Sequence, residues 1–208
     1  MSAQAIAHSM EELSAKALPA SRKVCADKCA AEYRPLSSGF VSTFVSDWAE
    51  RRQCNLSGHN ALYARKQFKA GEVLCEFGWR DLLEYPTYLT VQTGEDKHIL
   101  LAPEWLEHIN HSCEPNVLFN TATFKLEALR EVQPGDELCF FYPSTEWAMS
   151  SPFECKCCKP SCLGLIAGAS QLSREQLGAR RLTDFIANRL DERDAGASSD
   201  SPSNSNSD

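Results

Sequence analysis

Residues 110–116 read Asn-His-Ser-Cys-Glu-Pro-Asn, residues 135–142 read Gly-Asp-Glu-Leu-Cys-Phe-Phe-Tyr, and Cys155, Cys157, Cys158 and Cys162 crowd the segment that follows. An Asn-His pair, a tyrosine closing an apolar run and a cluster of thiols are together enough to build a ligand pocket and a metal site side by side. Their order along the chain points to chemistry and not only to a stable domain.

Outward from these strings the pattern is mostly β. Phe40–Trp48 is β-branched and aromatic. Residues 61–64 (Ala-Leu-Tyr-Ala) and Glu72–Phe77 read as short strands joined through a Lys69-Ala70-Gly71 turn. Tyr88–Gln92 and His98–Leu101 flank Thr93-Gly94-Glu95-Asp96, whose turn formers predict a hairpin. Val117–Asn120, Phe124–Ala128 and Glu137–Tyr142 supply further strands. Gln171–Arg193 spaces Leu172, Leu177, Leu182, Phe185, Ile186 and Leu190 as an amphipathic helix, with Ser173 and Gln176 as a capping box and a break near Gly178.

At 208 residues, with 43% hydrophobic content, the chain suits one domain with appendages. Residues 1–38 read as a partly disordered extension with a loose helix around Met10–Ala17. Residues 195–208, almost all Ser, Asp, Asn, Ala, Gly and Pro, read as a disordered tail, since such a composition buries too little apolar area to offset ordering entropy. No run approaches the roughly 18 apolar residues of a membrane span, and Glu11 and Glu12 interrupt any signal peptide, so an intracellular protein, cytoplasmic or nuclear, is expected. A net charge of −7 with dispersed basic residues argues against direct nucleic-acid binding and for a cationic substrate. In that setting ten cysteines read as metal ligands or buried thiols in preference to a disulfide framework, with Cys25, Cys29, Cys54, Cys75 and Cys139 as ordinary thiols. The sequence carries no reading of oligomeric state.

Asn110-His111-Ser112-Cys113-x-Pro115-Asn116, Gly135-x-Glu137-Leu138 and Tyr142 resemble the SET-domain lysine methyltransferases, and Cys155-x-Cys157 with Cys162 resembles that family's post-SET zinc motif. The resemblance implies a mainly β SET fold of short strands in small sheets with a knot-like C-terminal substructure. A SET domain would span 39–149, a post-SET zinc loop 150–168 and a C-terminal helix 169–194. It implies S-adenosylmethionine and zinc as cofactors. Asn110 and His111 match cofactor-contacting residues, and Leu62, Tyr63 and Phe140 fall in the cofactor-side motifs. Tyr142 matches the catalytic tyrosine. Tyr88 resembles a second channel tyrosine, or is a simple strand aromatic. Phe140 falls at the product-specificity position, where Phe favours di- or trimethylation, or it packs the core. Cys113, Cys155, Cys157 and Cys162 are the implied zinc ligands, although Cys155-x-x-Cys158 is also a zinc spacing; Cys157 is preferred, leaving Cys158 free or exchanging.

The chain departs from the family at three places. His59-Asn60-Ala61 stands where Gly-x-Gly is usual, Glu107-His108 where an Arg precedes the Asn-His pair, and Phe141 where an acidic residue is common. His98 and His108 read as surface or packing residues. The implied reaction is methyl transfer from a sulfonium to a lysine amine, an in-line displacement in which positioning is the main task. An ammonium with a pKa of about 10.4 is no nucleophile until it loses a proton, and burial beside a sulfonium promotes that loss. The insert that normally walls the peptide groove is short here. The acceptor is therefore a protein lysine, with the C-terminal helix as the missing wall, or a small amine such as free lysine. A non-catalytic SET-fold binding module is the third reading.

Overall fold

A short run of β-branched and aromatic residues starts the first sheet. In a computed structural model, which describes residues 39–199, β1 (Phe40–Phe44) pairs antiparallel with β2 (Ala49–Cys54), and β2 with β3 (Asn60–Ala64). The strand expected to run to Trp48 stops at Phe44, because the Ser46 hydroxyl accepts a hydrogen bond from the Ala49 amide (3.0 Å) and turns the chain back. Trp48, past that turn, joins the core against Phe68 and Trp105 in edge-to-face contacts.

Three further sheets follow from short apolar runs. In one, β4 (Val73–Glu76), β10 (Lys125–Ala128) and β9 (Val117–Asn120) lie in the order β4-β10-β9. In the next, β5 (Gly78–Leu83), β7 (Lys97–Ala102) and β6 (Thr90–Gly94) lie in the order β5-β7-β6, and β6 and β7 form the expected hairpin, closing at Gly94 opposite Lys97. The third is a two-residue parallel pairing of β8 (Asn110–His111) with β11 (Cys139–Phe140), which lays the two motif strings side by side. Finally β12 (Phe153–Glu154) pairs with β13 (Leu165–Ile166), closing the loop that carries the cysteines.

A main core of buried side chains from Trp48 to Phe140 lies between the sheets and includes Leu62, Phe119, Leu126 and Leu138. A second cluster forms where the C-terminal segment docks: Phe141 packs with Ala169, Leu172, Leu177, Ile186 and Leu190. The expected helix over 171–193 is two pieces, α1 (Arg174–Leu177) and α2 (Asp184–Ser199). The Ser173–Gln176 capping box is present, each side chain bonding the other's backbone amide. Gly178 (φ +58°) ends α1. α2 runs past the expected boundary at 194. Residues 1–38 and 200–208, including the expected helix at Met10–Ala17, Cys25, Cys29 and most of the expected tail, lie outside the described residues. Among the described residues no helix is long and apolar enough to cross a membrane.

Candidate active site and cysteine cluster

Parallel pairing of β8 with β11 sets Cys139 opposite Asn110 and Phe140 opposite His111, and the chain leaves β11 directly into Tyr142. The His111 ring then binds the strings together: Nδ1 accepts the Tyr142 amide (3.2 Å), and Nε2 lies 3.3 Å from the Cys113 sulfur. Burial holds this imidazole well below its usual range, at about 4, so it is neutral and free to accept. Asn110 donates to the Asn60 carbonyl and to a Glu137 carboxylate oxygen, each at 3.1 Å. Asn116 makes a second brace, donating to the Glu137 carbonyl and accepting the Cys139 amide (both 2.8 Å).

Beside these motifs lies a cavity of about 140 Å³, lined by aromatic rings from several elements. Phe140 packs against Phe119 at 4.9 Å and Tyr142 at 4.7 Å, and Phe153 closes on Tyr142 at 6.0 Å. Tyr88 stands on the rim, 81% exposed. The Tyr142 phenol is pushed up by burial, so it serves as a neutral hydroxyl. Two carboxyl residues also line the cavity, Glu107 and Glu146. Sequence reasoning assigned Glu107 only to a departure from the family pattern and passed over Glu146.

Leu62 and Tyr63 do not line this cavity. Leu62 is wholly buried in the main core with its carbonyl taken by the Leu138 amide, and Tyr63 lies under the Arg52 guanidinium at 4.1 Å. Toward a ligand they can offer backbone or ring edge, not the Leu62 side chain. The His111 ring is likewise committed to internal partners. One atom on this side is left over: the Asn60 side-chain oxygen is buried and without a hydrogen bond among the described residues. An orphaned acceptor beside Asn110 and Glu137 fits the cationic amino group of a ligand such as S-adenosylmethionine.

Cys113, Cys155, Cys157 and Cys162 bring their sulfurs within 4.8 Å of one another. Tetrahedral zinc with Zn–S near 2.3 Å spaces its sulfurs about 3.8 Å apart, and Cys113 and Cys155 stand 3.9 Å apart. The donor set therefore fits zinc. Cys158 does not join the quartet. Its backbone adopts φ +56° and its side chain is exposed, outside the group of four sulfurs. Cys75 and Cys139 are the ordinary thiols expected: burial pushes the first up to about 12 and the second higher still.

Arg180 clasps the cluster to the C-terminal segment. Its guanidinium donates to the carbonyls of Cys113 (2.8 Å), Ser161 (3.1 Å), Gln176 (2.8 Å) and Leu177 (3.1 Å), and lies 4.9 Å over the Phe141 ring.

Residues 60–143 match the family model of the SET domain. Over 106 residues, 50% of this chain and 59% of the relative, the sequence is 42% identical to the methyltransferase flvH of Aspergillus flavus. Over 169 residues, 74% of this chain and 22% of the relative, it is 24% identical to the H3 lysine-36 specific histone-lysine N-methyltransferase of Saccharomyces cerevisiae. The corresponding protein of Aspergillus oryzae is 33% identical over 148 residues, 64% of this chain and 15% of the relative. The matches span about three-fifths of flvH and less than a quarter of the histone enzymes.

Proposed function

We propose, from the premise that this chain contains a SET domain, that it is an S-adenosylmethionine-dependent N-methyltransferase of a lysine amine, most simply one carried by a protein. The observation that carries the reading is the convergence of Asn110, His111 and Tyr142 beside an aromatic cavity of side-chain size that Tyr142 lines. When bound, S-adenosylmethionine supplies a methyl group on a sulfonium. Asn110, the Glu137 carboxylate and the orphaned Asn60 oxygen would hold its polar end. Phe140, Phe119 and Phe153 exclude water from the acceptor, and Tyr142 orients the amine through a neutral hydroxyl.

Zinc on Cys113, Cys155, Cys157 and Cys162 would tie the motif strand to the C-terminal loop and so hold Phe153 against the cavity. In support of a protein acceptor, Tyr85 and Tyr88 stand exposed in the segment that forms one cavity wall, and several relatives are named for a histone lysine. A protein substrate in the nucleus or cytoplasm is consistent with both. A small amine such as free lysine is the second reading, favoured by the cavity's modest volume. A binding module without catalysis is the third.

Calorimetry of zinc-loaded protein with S-adenosylmethionine separates the last reading from the first two, because no heat sinks the enzyme. Radiolabelled cofactor offered to the protein and small-molecule fractions of a cell extract assigns the acceptor by which fraction takes label. Tyr142→Phe is expected to lower turnover at least about tenfold with cofactor affinity nearly unchanged, since the lost hydroxyl orients the acceptor only. An unaltered rate removes Tyr142 from the reaction.

A further inference from the structure

The two carboxyl residues of the cavity differ in one respect. Glu107 is already neutralised: Arg80 Nη2 grips both of its oxygens, at 2.8 and 3.1 Å. Glu146 has no cation within hydrogen-bond reach among the described residues. It is 6% exposed, on the wall that also carries Tyr142, and one oxygen, Oε1, takes both of its side-chain hydrogen bonds, from the Gln92 amide and the Thr145 hydroxyl, each at 2.9 Å. The position is rigidly built. Gln92 returns the contact by accepting the Trp147 amide (2.9 Å) while donating to the carbonyls of Gly94 and Glu95. Oε2 takes no hydrogen bond among the described residues.

A buried carboxyl on the wall of an aromatic cavity, held by two donors on one oxygen with no hydrogen bond to the other, is an expensive arrangement unless a cation completes it. We infer that Glu146 is the anionic seat of this cavity: it receives the acceptor as an alkylammonium, so that the site selects a charged primary amine over a neutral chain of equal length. This rests on the proposed amine acceptor and sharpens it. Aromatic rings recognise an alkyl stem; a carboxylate among them recognises the nitrogen's charge. Five heavy atoms suit the space, since cavities of roughly 150 Å³ take up a guest the size of benzene.

Burial pushes the Glu146 carboxyl up to about 7, so the seat switches on as pH rises through that value while an alkylammonium stays charged to about 10. The other groups facing Glu146 leave that window to it. Tyr142 stays protonated, Glu107 is paired with Arg80, and Arg189, lying 5.0 Å over Trp147, is paired with Glu95.

The test is a calorimetric or NMR titration of the zinc-loaded full chain with butylammonium chloride and, as the neutral control, 1-butanol. At about pH 8.5 the wild-type protein should prefer butylammonium at least about tenfold, a modest demand on an ion pair in a partly dry site. Glu146→Gln keeps an oxygen for Gln92 and Thr145 and should reduce the preference to below about threefold; wild-type protein at about pH 5.5 should do the same without any substitution. Equal affinity for the two probes in wild-type protein, or a preference retained in Glu146→Gln, overturns the inference. Both titrations are independent of methyl transfer. Charge selection without turnover on any amine would sink the proposed reaction and leave the seat standing. Turnover with unchanged amine KM in Glu146→Gln would do the reverse.

Discussion

Gly168 follows the cysteine loop at φ +117°, and a Cβ built on it would lie 2.5 Å from the Trp147 carbonyl oxygen and 2.8 Å from the Ala148 Cα. Both neighbours are backbone, so nothing flexible can yield. Gly168→Ala should destabilise the fold by about 2–4 kcal/mol, combining a disallowed φ with overpacking; an unchanged denaturant midpoint would show that the loop moves freely against Trp147. That close approach keeps the 146–148 backbone, and hence Glu146, fixed against the loop. At this scale Tyr142 and Cys113 were legible because their strings are local. Glu146 was not: a single Glu between Thr145 and Trp147 carries no spacing signal, and its role arises only from Gln92, more than fifty positions away.

Among elements, β2 and β5 are the longer strands that escaped sequence reading, together with the two-residue β8, β12 and β13. Ala49-Glu50-Arg51-Arg52-Gln53-Cys54 and Gly78-Trp79-Arg80-Asp81-Leu82-Leu83 lack apolar alternation. They are strands because their backbones are claimed by β1 and β3 and by β7, and because their arginines find Tyr63 and Glu107 as partners. The cysteine loop illustrates the opposite case. Its ligand spacing was readable and already favoured Cys157, and the backbone directions set Cys157 among the four sulfurs and Cys158 outside them. Cys157→Ser should lower bound zinc by at least about half and loosen residues 155–166, whereas Cys158→Ser should retain full zinc by atomic absorption. Equal loss in both variants would remove Cys157 from its place in the quartet.

For the whole molecule, pH stability should bear the mark of Glu146. Its folded value of about 7 lies above the ordinary 4.5, so the folded state holds the extra proton between them. Stability from this group is therefore greatest below about 4.5, falls as pH rises, and levels off above about 7. The loss is on the order of 3 kcal/mol. Subtracting the Glu146→Gln unfolding curve from wild type isolates it from the cysteines and other carboxyls. A flat difference between pH 5 and 8 would mean the carboxyl is not held dry. The mainly β architecture was legible because short, punctuated apolar runs give short strands in small sheets, while its likeness to the SET fold came only from the motif strings at 110–116 and 135–142. The interruption between α1 and α2 was half legible, since Gly178 announces an end but nothing local announces the restart at Asp184.

Arg180 has a wider consequence. Every hydrogen bond it makes goes to a main-chain carbonyl, and its flat face to a ring. It therefore reads the path of the backbone and is blind to which side chains stand at 161 and 176. Changing the side chains at 161 and 176 would leave these contacts standing, whereas losing the guanidinium, whose planar fork no ammonium reproduces, would free the C-terminal segment from the backbone at Cys113.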